Sequence, residues 1–407
     1  MSSVTSIYHF HNSKVGGVYS VIKTLVQYQQ GSEIENHLIS IKNTSTELDF
    51  QMSEWDGLSS HKVFLYNLTD NFYHICQRLS KLVPENAVIV AHDSLELGMV
   101  SNLGLQNKVV FFLHGDYDYY YELAVRHSDS IDDFICVALS IQKKLAKLLP
   151  DRINDIHYLR VPVPDLGVEK NENSKIKIAF VGRGEHSKGF DFLPEIANCF
   201  IEKKIGVEWD IFGEIDADCS GLVWPENCKI SFHGHLPNNI LLEKLKTSDY
   251  IILPSNAEGM PLAIVEAMKM GVIPLVNNIK GGIQEIIKNG ETGFLINNNC
   301  ILDYVNNIIE VESNYALKRE LQKNVVNLAN KLFDPRECTK NIETVFFDNK
   351  EELLEKCLKY LNDDNLRNNI KANGHQKVHE AKHDHSSRLK YILEKIYSED
   401  AITRIEL

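Results

Sequence analysis

Between residues 251 and 296 the chain reads IILPSNAEGMPLAIVEAMKMGVIPLVNNIKGGIQEIIKNGETGFLI, a pattern that predicts strand, loop, short helix, strand, Gly-Gly turn, helix and strand. Glu258 stands in the first loop and Glu266 inside the helix, eight residues later. Pro261 suits the first helical position, because its missing N–H is one a helix leaves unpaired. Gly271 can take the left-handed conformation that ends the helix. The amides of Gly259, Met260 and Leu262 then crown a helix N-terminus, where unpaired N–H groups and the macrodipole attract anions. A phosphate-receiving helix end flanked by two carboxylates fits a ligand with phosphates in the middle and hydroxyl-rich sugars on both sides. A nucleotide sugar has that form.

Further groups stand at strand ends. GRGEHSKGFDFL (182–193) follows a strand and precedes a helix. Its glycines miss the dinucleotide-binding spacing, and Lys188 precedes Gly189 where a P-loop needs the reverse order. What remains is a turn offering Arg183 and Lys188, two cations able to clamp a diphosphate and stabilise it as a leaving group; two solvated surface charges are the plainer reading. Gly16 and Gly17 follow the first strand and permit close backbone approach to a phosphate or sugar, or simply a tight turn. His92 and His114 both end strands, and His114, followed by glycine, is the better functional candidate. Tyr117, Tyr119, Tyr120 and Tyr121 offer flat faces to an acceptor sugar, though loop packing accounts for them as well. His375, His379 and His383 step by four, but eight helical residues rotate ~80°, so the three cannot aim at one ion and no metal site is expected. SIQKKLAKLLPDR (140–152) reads as an amphipathic helix on its sheet, with a membrane-surface contact as the alternative.

The elements that must position these groups alternate along the chain. VTSIYHF, HLISI, VFLY, AVIVAH, KVVFFLH, FICVAL and IHYLRV read as strands in the first half. KIKIAFVG, EWDIFG, CKISFHG, DYIILP, GVIPLV and GFLI follow in the second, and the pattern is helical from about 301. Val18, Val21, Ile22, Leu25 and Val26 keep the spacing of a half-buried helix. Continuous apolar strands separated by helices predict parallel sheets covered on both faces. The stretch 42–62 is polar and irregular and has no assignment. VPVPDLGVEKNENSK (161–175) reads as an inter-domain linker. The length of 407 residues exceeds one ordinary core, so two domains are expected, with the ligand between them.

A net charge of −13 argues against a nucleic-acid-coating protein. The eight cysteines are scattered, several within apolar segments, which suits a reducing compartment. The N-terminus lacks a signal-peptide pattern, and no apolar run approaches the ~20 residues of a membrane span. A cytoplasmic protein, with contact at the inner membrane face left open, is the expectation.

Taken together, these residues resemble the retaining glycosyltransferases of family 4, which have the GT-B fold. The similarity rests on Glu258 through Glu266 in EGMPLAIVE, on Gly281, Gly282, Glu285, Gly290 and Gly293 downstream, and on the Arg/Lys and Gly-Gly turns. The resemblance implies two Rossmann-like, doubly wound parallel-sheet domains facing a central cleft: residues 1–164 on the acceptor side, a linker at 165–175, and a nucleotide-sugar domain at 176–385. A final helix at 386–407 would cross back to the first domain. It also implies that Arg183 and Lys188 hold the donor diphosphate, that Glu266 binds the ribose diol, and that Glu258 and His114 face the transferred sugar. Amides at 259–262 would receive phosphate or sugar oxygens, with His235 and Leu236 near the base. Catalytic roles thus fall to Arg183, Lys188, Glu258 and His114. Donor binding falls to Gly16, Gly17, Gly259, Met260, Leu262, Glu266, His235 and Leu236. The expected reaction is hexosyl transfer from a nucleotide sugar, UDP-hexose in first place, to a carbohydrate or lipid-linked glycan hydroxyl in bacterial surface polysaccharide synthesis. No cofactor or metal is expected, and no nucleic acid. A nucleotide-sugar epimerase on the same fold and a noncatalytic transferase partner are the alternatives. VPVPDLG replaces the family's usual Asn-Gly turn before the linker.

Overall fold

A computed structural model of the chain describes residues 5–12, 16–29, 34–44, 57–167, 175–297 and 300–346. These form two parallel sheets connected by helices. The first sheet contains β1 (Thr5–Asn12), β2 (Ile34–Asn43), β3 (Leu58–Tyr66), β4 (Val88–Ala91), β5 (Val109–Leu113), β6 (Asp133–Cys136) and β7 (Ile156–Tyr158), in the order β3-β2-β1-β4-β5-β6-β7. The second contains β8 (Ile176–Val181), β9 (Val207–Phe212), β10 (Lys229–Gly234), β11 (Tyr250–Leu253), β12 (Ile273–Asn277) and β13 (Phe294–Ile296), in the order β10-β9-β8-β11-β12-β13. Strand order reverses beside β1 in the first sheet and beside β8 in the second. A ligand of an open α/β sheet binds outside the carboxyl ends of the strands at such a reversal.

The central strands are buried along their whole length: β4, β5, β11 and β12 expose no residue. That is why their sequences are unbroken apolar runs. The helix Gly17–Tyr28 turns Val21, Ile22, Leu25 and Val26 inward, as its periodicity predicts. Beyond residue 300 the described chain is helical, in Ile301–Glu312, Tyr315–Leu332 and Pro335–Glu343.

Three local expectations change. The unassigned stretch 42–62 is entered from both ends by strands, since β2 continues to Asn43 and β3 begins at Leu58. FICVAL stops being a strand at Cys136, because Ala138 already serves as N-cap of the helix Leu139–Leu148. In that helix Ile141 and Leu145 are buried, but Leu148 is exposed and Lys144 pairs with Asp118 at 3.1 Å while lying over the Tyr121 ring.

The segment joining the two sheets is fixed from below. Lys269, the last residue of the helix Leu262–Lys269, has a fully buried side chain. Its Nζ donates to the Val163 carbonyl at 2.6 Å and pairs with Asp165 at 3.2 Å. Among the described residues no helix is long and apolar enough to cross a membrane. The tail helix expected at 386–407 and the His375, His379 and His383 series lie outside the described residues.

Candidate active site

Lys188 and Glu258 are seventy residues apart in sequence, yet β8 and β11 are neighbours, so the turns leaving their carboxyl ends meet. The Lys188 Nζ lies 2.8 Å from Glu258 Oε1, and the Ser255 hydroxyl donates to the same oxygen at 2.7 Å. Glu258 is 7% exposed. Backbone bonds lock the two turns together, with Asn256 N donating to the Ser187 carbonyl. Gly189 has φ +66°, and a Cβ there would enter the Pro254 carbonyl oxygen, so this glycine is required by the approach of the turns.

Arg183 stays at the surface, 69% exposed, and pairs with Glu185 at 3.1 Å. Glu185 also accepts from the Ser187 hydroxyl at 2.5 Å and organises the turn between the two cations. Each cation is therefore held by a carboxylate that an incoming anion can replace.

The helix that follows starts one residue later than expected. Pro261 is its N-cap, in extended backbone, and Leu262 is the first helical residue. Among the described residues no side chain caps the first turn. Gly271 does adopt the left-handed conformation, φ +74°, just past the helix end. Gly282 N donates to the Gly259 carbonyl at 2.9 Å, so the Gly-Gly turn braces the loop before the helix.

Glu266 is 8% exposed, and burial pushes its carboxyl up to about 7, with a hydrogen bond from the Asn238 side chain pulling the other way. Asn238 opens the helix Asn238–Leu245, directly after the His235–Leu236 loop. The loop and the glutamate are thereby brought together through Asn238, which no motif in the sequence marks.

The first sheet brings its own groups to this place. A Cβ on Gly259 would stand 2.5 Å from the His114 carbonyl oxygen and 2.7 Å from Gly115 Cα. A Cβ on Gly17 would lie 3.5 Å from Leu262 Cδ1, whereas one on Gly16 would meet no atom of the described residues within 4 Å. The loop at 259–262 thus faces both the His114–Gly115 turn and the Gly16–Gly17 turn. Tyr117 overhangs the charged cluster: burial raises its hydroxyl's pKa, and Lys188, Glu258, Glu185 and Arg183 all act on it electrostatically. Tyr120 and Tyr121 pack as expected, Tyr120 against His114 and Phe111, and Tyr121 donating to Asp116 at 2.7 Å.

Glu285 has a role its sequence position does not reveal. One oxygen accepts from Leu139 N at 2.7 Å, the other from the Tyr158 hydroxyl at 2.5 Å. A carboxylate of the second half therefore caps a helix of the first, whose own N-cap, Ala138, has no capping side chain. Glu285→Ala strands both donors and is expected to cost about 1–3 kcal/mol. Urea unfolding of the variant against wild type measures it; an unchanged midpoint would mean the bridge contributes nothing.

Residues 166–331 match the family model of the glycosyl transferases group 1, and residues 324–394 a second model described as glycosyl transferase-like. An uncharacterized glycosyltransferase of Haemophilus influenzae is 22% identical over 272 residues, 63% of this chain and 76% of that protein. The Escherichia coli UDP-Gal:alpha-D-GlcNAc-diphosphoundecaprenol alpha-1,3-galactosyltransferase is 44% identical over 73 residues, 18% of this chain and 19% of that enzyme. Among solved structures, HepE of Anabaena in complex with UDP and glucose aligns with a TM-score of 0.67 at 16% identity, covering 84% of this chain and 98% of that one. At that identity the likeness concerns the fold.

Proposed function

We propose that this chain, a group 1 glycosyltransferase with the GT-B fold, moves a hexosyl group from a nucleotide sugar to an acceptor hydroxyl with retention at the anomeric carbon. A UDP-hexose is the favoured donor, and a carbohydrate or lipid-linked glycan of a bacterial surface polysaccharide the favoured acceptor. The observation that supports this most is the Lys188–Glu258 pair, 2.8 Å apart beside an uncapped helix N-terminus. A cation already desolvated, and a helix end with no capping side chain, form a receptor for a pyrophosphate.

In this reading the pyrophosphate draws Lys188 and Arg183 away from their carboxylates, and Glu258 is released toward the sugar. Charge building on the departing phosphate is met by Lys188, Arg183 and the amides at 259–262, without a metal. A double-displacement route needs a carboxylate nucleophile under the anomeric carbon. The Ser255 hydroxyl still holds Glu258 in its loop once Lys188 has left, so we favour a same-face route in which the leaving phosphate takes the acceptor proton. Calorimetric titration with a panel of UDP- and GDP-sugars, followed by the product's anomeric configuration by NMR, tests the reading. Absence of binding by every nucleotide sugar, or an inverted product, would reject it; conversion of the donor with no acceptor present would favour an epimerase.

Glu266 supplies a pH signature. Burial raises its carboxyl to about 7, above the unfolded value, so the neutral form is the one favoured in the fold. Its contribution to stability is present below the unfolded pKa and is lost as pH rises through about 7. Ribose-diol binding runs the other way, because the ionised carboxylate is the stronger acceptor. UDP-glucose affinity should rise as pH passes upward through this range, by roughly 1 kcal/mol or about fivefold. In Glu266→Gln the slope should vanish; a slope that persists assigns the titration elsewhere.

A further inference from the structure

Behind His114 lie two buried histidines, His9 within β1 and His92 just past the end of β4. His92 Nδ1 and His114 Nε2 are 2.8 Å apart, and the His92 ring stands 6.1 Å from that of His9. His9 and His92 are 0% and 4% exposed. His9 Nε2 faces Asn36 Oδ1 at 3.3 Å. Two buried nitrogens of this pair, His9 Nδ1 and His92 Nε2, have no hydrogen-bond partner among the described residues.

The positions of those two atoms decide where the protons sit. An amide oxygen only accepts, so His9 donates from Nε2 to Asn36 and its Nδ1 is a bare lone pair. Between His92 and His114 one ring must donate. If His114 donated from Nε2, the neutral His92 would carry its proton on Nε2, leaving an N–H buried without an acceptor. If His92 donates from Nδ1, its Nε2 is a lone pair instead. Orphaned buried N–H groups are the rarer arrangement, and an under-used acceptor is better tolerated. With His92 as donor, the N–H groups of His9 and His92 both have acceptors and both unpartnered atoms are lone pairs.

We infer that His92 is a positioning residue that donates from Nδ1 to His114 Nε2, so that His114 is a neutral ring whose single N–H is at Nδ1. The ring is thereby fixed as a hydrogen-bond donor to a sugar oxygen and is no base for the acceptor's proton. The tautomer is set by the partner nitrogen's bond, and Phe112, stacked on His114 at 15° and tilted against His92, holds both planes. Burial keeps both rings uncharged, with His114 pushed down to about 3. The consequence for turnover rests on the reading above that His114 faces the donor sugar; the tautomer does not.

The test has two arms. In the full ligand-free chain carrying isotope-labelled histidine, a long-range proton–nitrogen correlation near neutral pH reads each ring, with signals assigned by their loss in His92→Asn and His114→Asn. Protonated Nδ1 and bare Nε2 on both rings is the expected result. A proton on His92 Nε2, or a bare Nδ1 on His114, overturns the inference. In the kinetic arm, with the nucleotide sugar that the calorimetric panel selects, His92→Phe should lower kcat by about 10- to 100-fold with little change in donor KM. His92→Asn, whose amide can still donate, should recover most of that loss. Full turnover in His92→Phe while His114→Ala is crippled overturns the positioning role alone. Full turnover in His114→Ala removes the premise about the sugar and leaves the tautomer to the spectra. Should His92→Phe fail to fold, the spectra of the wild-type chain still decide.

Discussion

Lys188→Ala is expected to lower kcat by about 10²- to 10³-fold, the range found when one group that stabilises developing anionic charge is removed. The same substitution also strips a buried carboxylate of its counter-ion, because Glu258 is 7% exposed and Lys188 lies 2.8 Å from it. Leaving a buried charge unpaired costs about 3 kcal/mol, so the variant should be less stable as well as slower. The two effects separate in Lys188→Ala/Glu258→Gln. Replacing the carboxylate by an amide removes the stranded charge, and Ser255 can still donate to the amide oxygen. Urea unfolding should show most of the stability returning while turnover stays low. A double variant that regains wild-type kcat would show that turnover needs neither the Lys188 ammonium nor the Glu258 carboxylate, against the roles given to both.

The second large effect comes from adding one methyl group. In Gly259→Ala the new Cβ would lie 2.5 Å from the His114 carbonyl oxygen and 2.7 Å from Gly115 Cα. Both are backbone, so no side-chain rotation relieves the clash and the loop must withdraw from the first half of the molecule. Displacing reacting groups by about 1 Å can cost 10²-fold, and kcat/KM should fall by at least that much. Stability should fall by only about 1–3 kcal/mol, the usual penalty of overpacking, because the clash is relieved when the two halves part. Gly282→Ala makes the contrast: its Cβ would enter the Gly259 carbonyl oxygen inside the second half, where no such parting is available. That variant should lose more stability than Gly259→Ala. Unchanged kcat/KM in Gly259→Ala would mean that the two halves do not close on this loop during turnover.

The strands of both sheets were legible because parallel strands buried on two faces must be apolar throughout, and VVFFL, YIIL and IPLV leave little choice. The edge strand β3 was only half legible. Its burial alternates and its first half, LSSHK, is mostly polar, so only VFLY stands out. Single groups of the site were legible where local chemistry marks them: glycines with positive φ, a proline at a helix start, a cation ending a strand. Pairings were not. That Lys188 meets Glu258 depends on β8 lying beside β11, and that Glu285 reaches Leu139 and Tyr158 depends on how the two sheets face each other. Sequence spacing holds no record of either. The His92–His114 bond has no sequence signal for the same reason, since it joins two strands that only the sheet order makes neighbours. Lys269 ends a helix that is apolar apart from Glu266, and its buried role at the Val163 carbonyl has no local signal at all.

A crystal structure of the chain with UDP bound tests the central claim most directly. The account predicts the pyrophosphate within hydrogen-bonding distance of Lys188 Nζ and of the amides at 259–262, with Lys188 no longer paired to Glu258 and Arg183 turned from Glu185 toward the phosphate. A pyrophosphate bound elsewhere, or UDP in place with the Lys188–Glu258 pair still at 2.8 Å, would contradict it.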